Sequence, residues 1–354
     1  MRIASIASVA AAAFAAIGAG TGPAFAAADA KVSGPHVHEN LAIFFIHGPS
    51  AAGPVPLTLS EALAKGGAQV IETGRVNELQ IENTGDEEVF VQAGDIVKGG
   101  KQDRVLTVSL VLPPRSGAVP IASFCVEQGR WSARAGEDHA KFASASEAVP
   151  SSRARAIMAA PVPAQSEAIR PAGGPPSRNN ETASRQQRMW ETVAKVQSDL
   201  SAGLNARVAS PQSATSLQLS LENENLQRAR RDYAAALEPL GLKDSDVIGY
   251  VIAINGKAMS GDVYTSNGLF RKMWSKQLAA AVTEAIGEKI SGSAAAPPTT
   301  AAVNEFLAAA ESGTRHERET AFQLRQETRD SDQALYNETR SAAGQWLHKT
   351  YVRK

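Results

Sequence analysis

Between Asn40 and Trp131 the chain is cut by turn residues into short apolar runs, and that pattern admits little besides a layered, mostly antiparallel sheet. Asn40 to His47 (NLAIFFIH) has the aromatic and β-branched content of a buried strand. Thr58 to Gly66 carries a helix start and a glycine stop. Ala68 to Glu72, Leu79 to Asn83, Val89 to Val91 and Asp95 to Lys98 are further strand candidates, bent by Thr84-Gly85-Asp86 and Ala93-Gly94-Asp95. Val105 to Leu112 alternates, with Leu106, Val108, Leu110 and Leu112 on one face, until Pro113-Pro114 ends it. Val119 to Val126 is one more strand. The expected arrangement is an antiparallel sheet or barrel-like layer.

Beyond Trp131 the pattern changes. Ala133 to Thr182 is rich in Ala, Ser, Arg and Pro and reads as an exposed connection, with helix over Ser144 to Met158. Ser184 to Leu200, Ser216 to Leu237 and Gly268 to Ile286 have helical stripes, the last through Phe270, Trp274, Leu278 and Val282. Val247 to Asn255 is a buried strand by composition, and Asn255-Gly256-Lys257 is a hairpin-type turn. After a small-residue linker, Ser291 to Thr300, the polar segment Ala301 to Gln326 is expected to be helical, and Ala334 to Thr339 with Gln345 to Val352 to form one closing hairpin around Gly344. The expectation is therefore α+β: a strand-rich N-terminal half, a helical second half and a C-terminal hairpin. The units are a leader (1–26), a polar segment (27–39), a main domain (40–290, in parts 40–131, 132–183 and 184–290) and a terminal linker, helix and hairpin (291–354).

The leader is read from Met1-Arg2, the uncharged run Ile3 to Ala19, and the A-x-A site Ala24-Phe25-Ala26, the pattern of a signal peptide cleaved near Ala26. It implies export, to a periplasm, and no later run is apolar enough to span a bilayer. The single cysteine, Cys125, excludes an internal disulfide and is either a buried small residue or a reactive thiol. A formal charge of zero at 20% charged residues supplies no bulk field for nucleic acid.

Two polar clusters interrupt the apolar sequence, KGGKQDR (Lys98 to Arg104) and CVEQGRW (Cys125 to Trp131). Together with the preceding Ala93-Gly94-Asp95-Ile96 and the later VIAINGK ending at Lys257, they resemble the ARG and rhodanese-phosphatase-superfamily-associated protein domain family. The resemblance covers most of residues 38–290. It implies no activity, because none is established for the family.

The residues themselves allow three functions. In the first, a binding or accessory module, Gly99-Gly100 lets backbone approach an anion and Lys98, Lys101, Gln102, Arg104, Arg130 and Lys257 line a polar cleft for a small anionic ligand. In the second, a hydrolase or transferase, Glu127 or Asp103 works with Lys101 as acid or base. In the third, a structural envelope protein, the same charges pair internally, Asp103 with Arg104 or Arg130 and Glu127 with Arg130 or Lys101. Trp131 is then a core plug. No cofactor or protein partner follows from the sequence. His36-x-His38 lacks a third ligand, the HExxH and GxSxG patterns are absent, and no His of the six shares a motif with Cys125. Asn255, Lys257, Ser260 and Asp262 read as a loop cluster at a strand end.

Overall fold

The structure, a computed structural model, describes residues 30–134, 137, 141–161, 180–289 and 295–354. The leader, His139 and the centre of the 133–182 connection lie outside the described residues.

Among the described residues, strands fill both ends of the chain, with helices between Ala148 and Val247. The largest sheet is eight-stranded and antiparallel. It begins with β1 (Lys31–His38) and β2 (Leu41–His47), continues through β12 (Val247–Ile254) and β13 (Lys257–Tyr264), and ends with β17 (Trp346–Arg353), β16 (Ala334–Arg340), β15 (Arg325–Asp330) and β14 (Thr314–Glu319). A six-stranded sheet has the order β11 (Phe142–Ala148), β7 (Asp95–Gly99), β8 (Arg104–Leu106), β10 (Val119–Cys125), β5 (Glu78–Asn83), β4 (Ala68–Arg75). A third, of three strands, joins β3 (Leu57–Thr58), β6 (Val89–Val91) and β9 (Leu110–Leu112).

The expected α+β plan with a helical second half is thereby corrected. Six of the eight strands in the large sheet, β12 to β17, come from the second half. Where one closing hairpin was expected there are four strands, and the helix expected over Ala301 to Gln326 stops at Glu311, α7 being Thr300–Glu311. The reason is local. β14 (TRHERE) lies at the sheet edge with most of its side chains in water, so it needs no apolar face and shows none. The supposed loop around Ser260 and Asp262 is the interior of β13, and Ser144 to Ala148 is strand rather than helix, with α2 (Ser152–Ala159) following it. The polar segment before residue 40 is β1, in which His36 packs on Phe45 and His38 on Tyr233.

β2, up to its last residue His47, and β12 lack charged side chains because both faces are covered. Leu41, Ile43 and Phe45 of β2 pack with Tyr250 and Ile252 of β12 against Phe270 and Trp274 of α6 (Asn267–Gly287), Leu226 and Tyr233 of α5 (Glu224–Gly241), and Met189 and Val193 of α3 (Asn180–Gly203). Ala42, Phe44 and Ile46 face Phe306 and Leu307 of α7. A separate apolar cluster, Leu79, Ile81, Val97, Leu106 and Ile121 among its members, holds the smaller sheets. Among the described residues no helix is long and apolar enough to cross a membrane.

Candidate functional site

The two polar clusters meet at one end of the six-stranded sheet. β7 and β8 pair with Val97 opposite Arg104, and β10 places Cys125 opposite Arg104 from the other side. The turn from Gly99 to Asp103 needs both glycines: φ is +129° at Gly99 and +55° at Gly100. A Cβ at Gly99 would lie 2.3 Å from the Lys141 carbonyl, and one at Gly100 would lie 2.2 Å from the Phe142 ring. The glycine pair therefore serves the pairing of β7 with β11, which occupies the approach.

Within the turn the charges pair with one another. Asp103 and Glu127 are both fully buried. The Gly99 amide donates to Asp103 Oδ1 at 3.0 Å, and the Asp103 amide donates to Glu127 Oε2 at 3.3 Å. Arg130 Nε donates to Glu127 Oε2 at 2.6 Å, and Arg130 Nη2 lies 3.4 Å from Asp103 Oδ1. Arg134 spans both carboxylates: Nη1 to Asp103 Oδ2 at 3.0 Å and to Glu127 Oε1 at 2.8 Å, Nη2 to Asp103 Oδ1 at 2.8 Å. Ser216, the N-cap of α4 (Leu217–Leu221), adds a fourth donor to Asp103 at 3.0 Å. Burial pushes the Asp103 carboxyl above its ordinary value despite Arg134. Burial would raise Glu127 too, but hydrogen bonds from Ser213 and Arg130 hold it below. Burial dominates at Asp103, with the Glu127 charge adding to it, whereas donors dominate at Glu127.

The remaining sequence candidates fall in different places. Lys98 Nζ is paired with Glu222 at 2.8 Å. Gln102 donates to the Glu127 carbonyl at 3.2 Å, and its own Oε1 is buried without a partner among the described residues. Lys257 is exposed at the β12–β13 turn, on the other large sheet. Cys125 is buried, its thiol donating to the Glu127 carbonyl at 3.0 Å, and burial pushes its pKa up.

Arg104 is the exception. Its side chain is 0% exposed, yet none of its three guanidinium nitrogens has a hydrogen-bond partner among the described residues. Glu72 is its nearest counter-charge, 4.0 Å from Nη2, and Glu72 already accepts from the Gly74 and Lys101 amides. Burial draws the Arg104 pKa down, with Cys125 and Glu72 acting the other way. The ring of Trp131, 43% exposed, carries Arg104 at 5.7 Å from its centroid and Lys101 Nζ at 5.1 Å. Trp131 is thus a half-exposed platform under two cations rather than a core plug.

Sequence reasoning missed Arg134, Glu72 and Ser216. Arg134 lies in the stretch read as a connection, Glu72 on β4, and Ser216 113 residues beyond Asp103. No spacing rule joins them; only the tertiary fold does.

Fold and site together define a strand-rich protein with a self-paired buried ion cluster and a buried arginine, Arg104, without a hydrogen-bond acceptor among the described residues. The chain belongs to the ARG and Rhodanese-Phosphatase-superfamily-associated Protein domain family, whose profile matches residues 29–352. No curated protein matches the chain, and no solved structure does.

Proposed function

We propose that the chain is an exported binding or accessory module whose ligand is a small anion received by Arg104, with Lys101 and Trp131 at the entrance. The observation that carries this reading is the buried Arg104 guanidinium without a hydrogen-bond acceptor. A buried charge of this kind costs several kcal/mol unless an acceptor completes it. A carboxylate or phosphate oxygen fits the guanidinium fork. This reading requires the half-exposed Trp131 indole, 5.7 Å from Arg104, to turn aside for the anion. Lys101 adds charge at the mouth. Asp103 and Glu127 have their oxygens committed to arginines, which favours binding over acid–base chemistry at this end of the sheet.

The test is a thermal-shift screen of phosphorylated and carboxylated metabolites on the mature protein. A stabilising compound is expected, its shift lost in Lys101→Ala and retained in Lys257→Ala. Equal shifts in both variants would remove the site assignment.

The self-paired network also favours a second, purely structural reading of the two motifs. Under that reading no anion stabilises the protein, and Arg104→Met behaves like any core substitution. Export is checked by N-terminal sequencing of the mature protein, which is expected to begin after Ala26.

A further inference from the structure

A second constellation lies where the smaller sheets meet the large one. Ser109 immediately precedes β9. His348 and Thr350 share a face of β17, and β13 sets Asp262 opposite Thr350. The Ser109 Oγ and His348 Nδ1 are 3.1 Å apart, and His348 Nε2 is 3.2 Å from Asp262 Oδ1. These residues come from three segments separated by more than eighty positions each; His348 and Asp262 are diagonal neighbours across the β13–β17 pair, and Ser109 is brought to them from a different sheet. Ser109 and His348 line a small cavity of about 20 Å³, together with Thr107, Arg155, Met158 and Thr339.

The hydrogen positions follow from the partners. Ser109 Oγ accepts from the Ala93 amide at 3.0 Å, which leaves its own proton for His348 Nδ1. The ring then carries its hydrogen on Nε2, facing Asp262. In the resting geometry Nε2 is off the hydrogen-bond direction, so the 3.2 Å contact gains most of its strength when the ring becomes an imidazolium. Asp262 is available as that counter-charge. It is fully buried and accepts from Arg155 Nη2 at 2.6 Å, Tyr250 Oη at 2.5 Å and Thr350 Oγ1 at 2.8 Å. Burial would raise its pKa, but the charge of Arg155 and the contact with His348 hold it far below the usual carboxylate range. The polarity, nucleophile on Nδ1 and acid on Nε2, is compatible with a triad, which is defined by geometry and roles rather than by residue order.

We propose that Ser109 is a nucleophile, activated by His348 and oriented by Asp262, that acts on a small acyl ester. In the first step Ser109 Oγ bonds to the carbonyl carbon while His348 Nδ1 takes the hydroxyl proton. The ester C–O bond breaks, and the departing alkoxide takes that proton from His348. In the second step solvent water attacks the acyl-serine, His348 accepts the water proton and returns it to Ser109 Oγ, and the acid leaves. The cavity, about 20 Å³, holds about one water as it stands, so only the smallest acyl group is proposed for transfer and the side chains lining it must move apart to admit it. Arg155 lines the cavity but is bound to Asp262 and Ser260, so the site lacks the open cation cluster a phosphoryl group requires. This proposal is independent of the Arg104 site.

The probe is p-nitrophenyl acetate with the mature protein, followed by nitrophenolate release and peptide mass spectrometry. Expected are a nitrophenolate burst and one acetyl group on the peptide bearing Ser109. Both are absent in Ser109→Ala, and the burst rate falls about 10²–10⁴-fold in His348→Gln. Ser109→Ala removes one hydroxyl and is expected to fold, as circular dichroism and Tm will show. Should His348→Gln fail to fold, Asp262→Asn serves in its place, with the same loss expected. Acetylation elsewhere only, or equal burst amplitudes in wild type and Ser109→Ala, would overturn the proposal.

Discussion

Replacing Arg134 by Met is the sharpest test of the buried ion cluster. Arg134 makes three hydrogen bonds to two fully buried carboxylates, at 2.8, 2.8 and 3.0 Å. Met fills much of the same volume but leaves Asp103 and Glu127 facing each other with Arg130 alone between them. Each charged hydrogen bond is worth about 1.5–3 kcal/mol, so the gross loss is roughly 4–9 kcal/mol. Relaxation and partial protonation return part of it, and removing one partner from a buried pair typically costs about 3–5 kcal/mol. Urea unfolding at pH 7 is therefore expected to lower stability by about 3–5 kcal/mol, with the m-value unchanged. The loss should shrink at acid pH, where protonation of Asp103 removes the repulsion; its raised pKa makes it the first of the pair to protonate. A loss below about 1 kcal/mol at pH 7 would refute the network as a structural tie.

Three further outcomes follow from other parts of the fold. Gly99→Ala is expected to destabilise by at least about 2 kcal/mol, because φ is +129° and the new Cβ meets the Lys141 carbonyl at 2.3 Å; an unchanged urea midpoint would contradict the turn geometry. Cys125, buried with its pKa pushed up by burial, should react with a thiol reagent only on the unfolding timescale, and rapid labelling of the native protein would overturn that. Glu147, buried beside Arg230, has its pKa pushed up from 4.5 to about 7 by burial. The folded chain thus holds a proton that the unfolded chain has released, so this contribution is full below about pH 4.5 and is lost as pH rises through about 7. Glu147→Gln should flatten that part of the stability profile, on the order of 3 kcal/mol between pH 5 and 8; an unaltered slope would exclude Glu147 as its source.

How far the fold was legible depends on where burial leaves a mark. β2 and β12 are covered on both faces and read as apolar runs, and the Asn255-Gly256 turn between β12 and β13 has the positive φ pair, +49° and +79°, that its dipeptide announces. The stripes of α3 and α6 face one core and were equally plain. β14 and β15 were not, because TRHERE and RQETRD are dominated by charged and polar residues that also suit a helix. β13 was hidden by Ser260 and Asp262, polar residues buried because Arg155, Tyr250 and Thr350 satisfy them. At the site, the density of charge in KGGKQDR and CVEQGRW marked the right place, while the role of each charge was set by partners such as Arg134 and Glu72 from other segments. Arg104 stands apart from that network, with no hydrogen-bond acceptor among the described residues, and on it the proposed binding function rests.

The most direct measurement is the stability of Arg104→Met with and without the anion that stabilises the wild type. If Arg104 is kept for a ligand, replacing its guanidinium, which has no hydrogen-bond acceptor among the described residues, by an apolar chain leaves ligand-free stability within about 1 kcal/mol of wild type, or above it, and abolishes the ligand-induced shift. A ligand-free loss of several kcal/mol together with a retained shift would contradict the account.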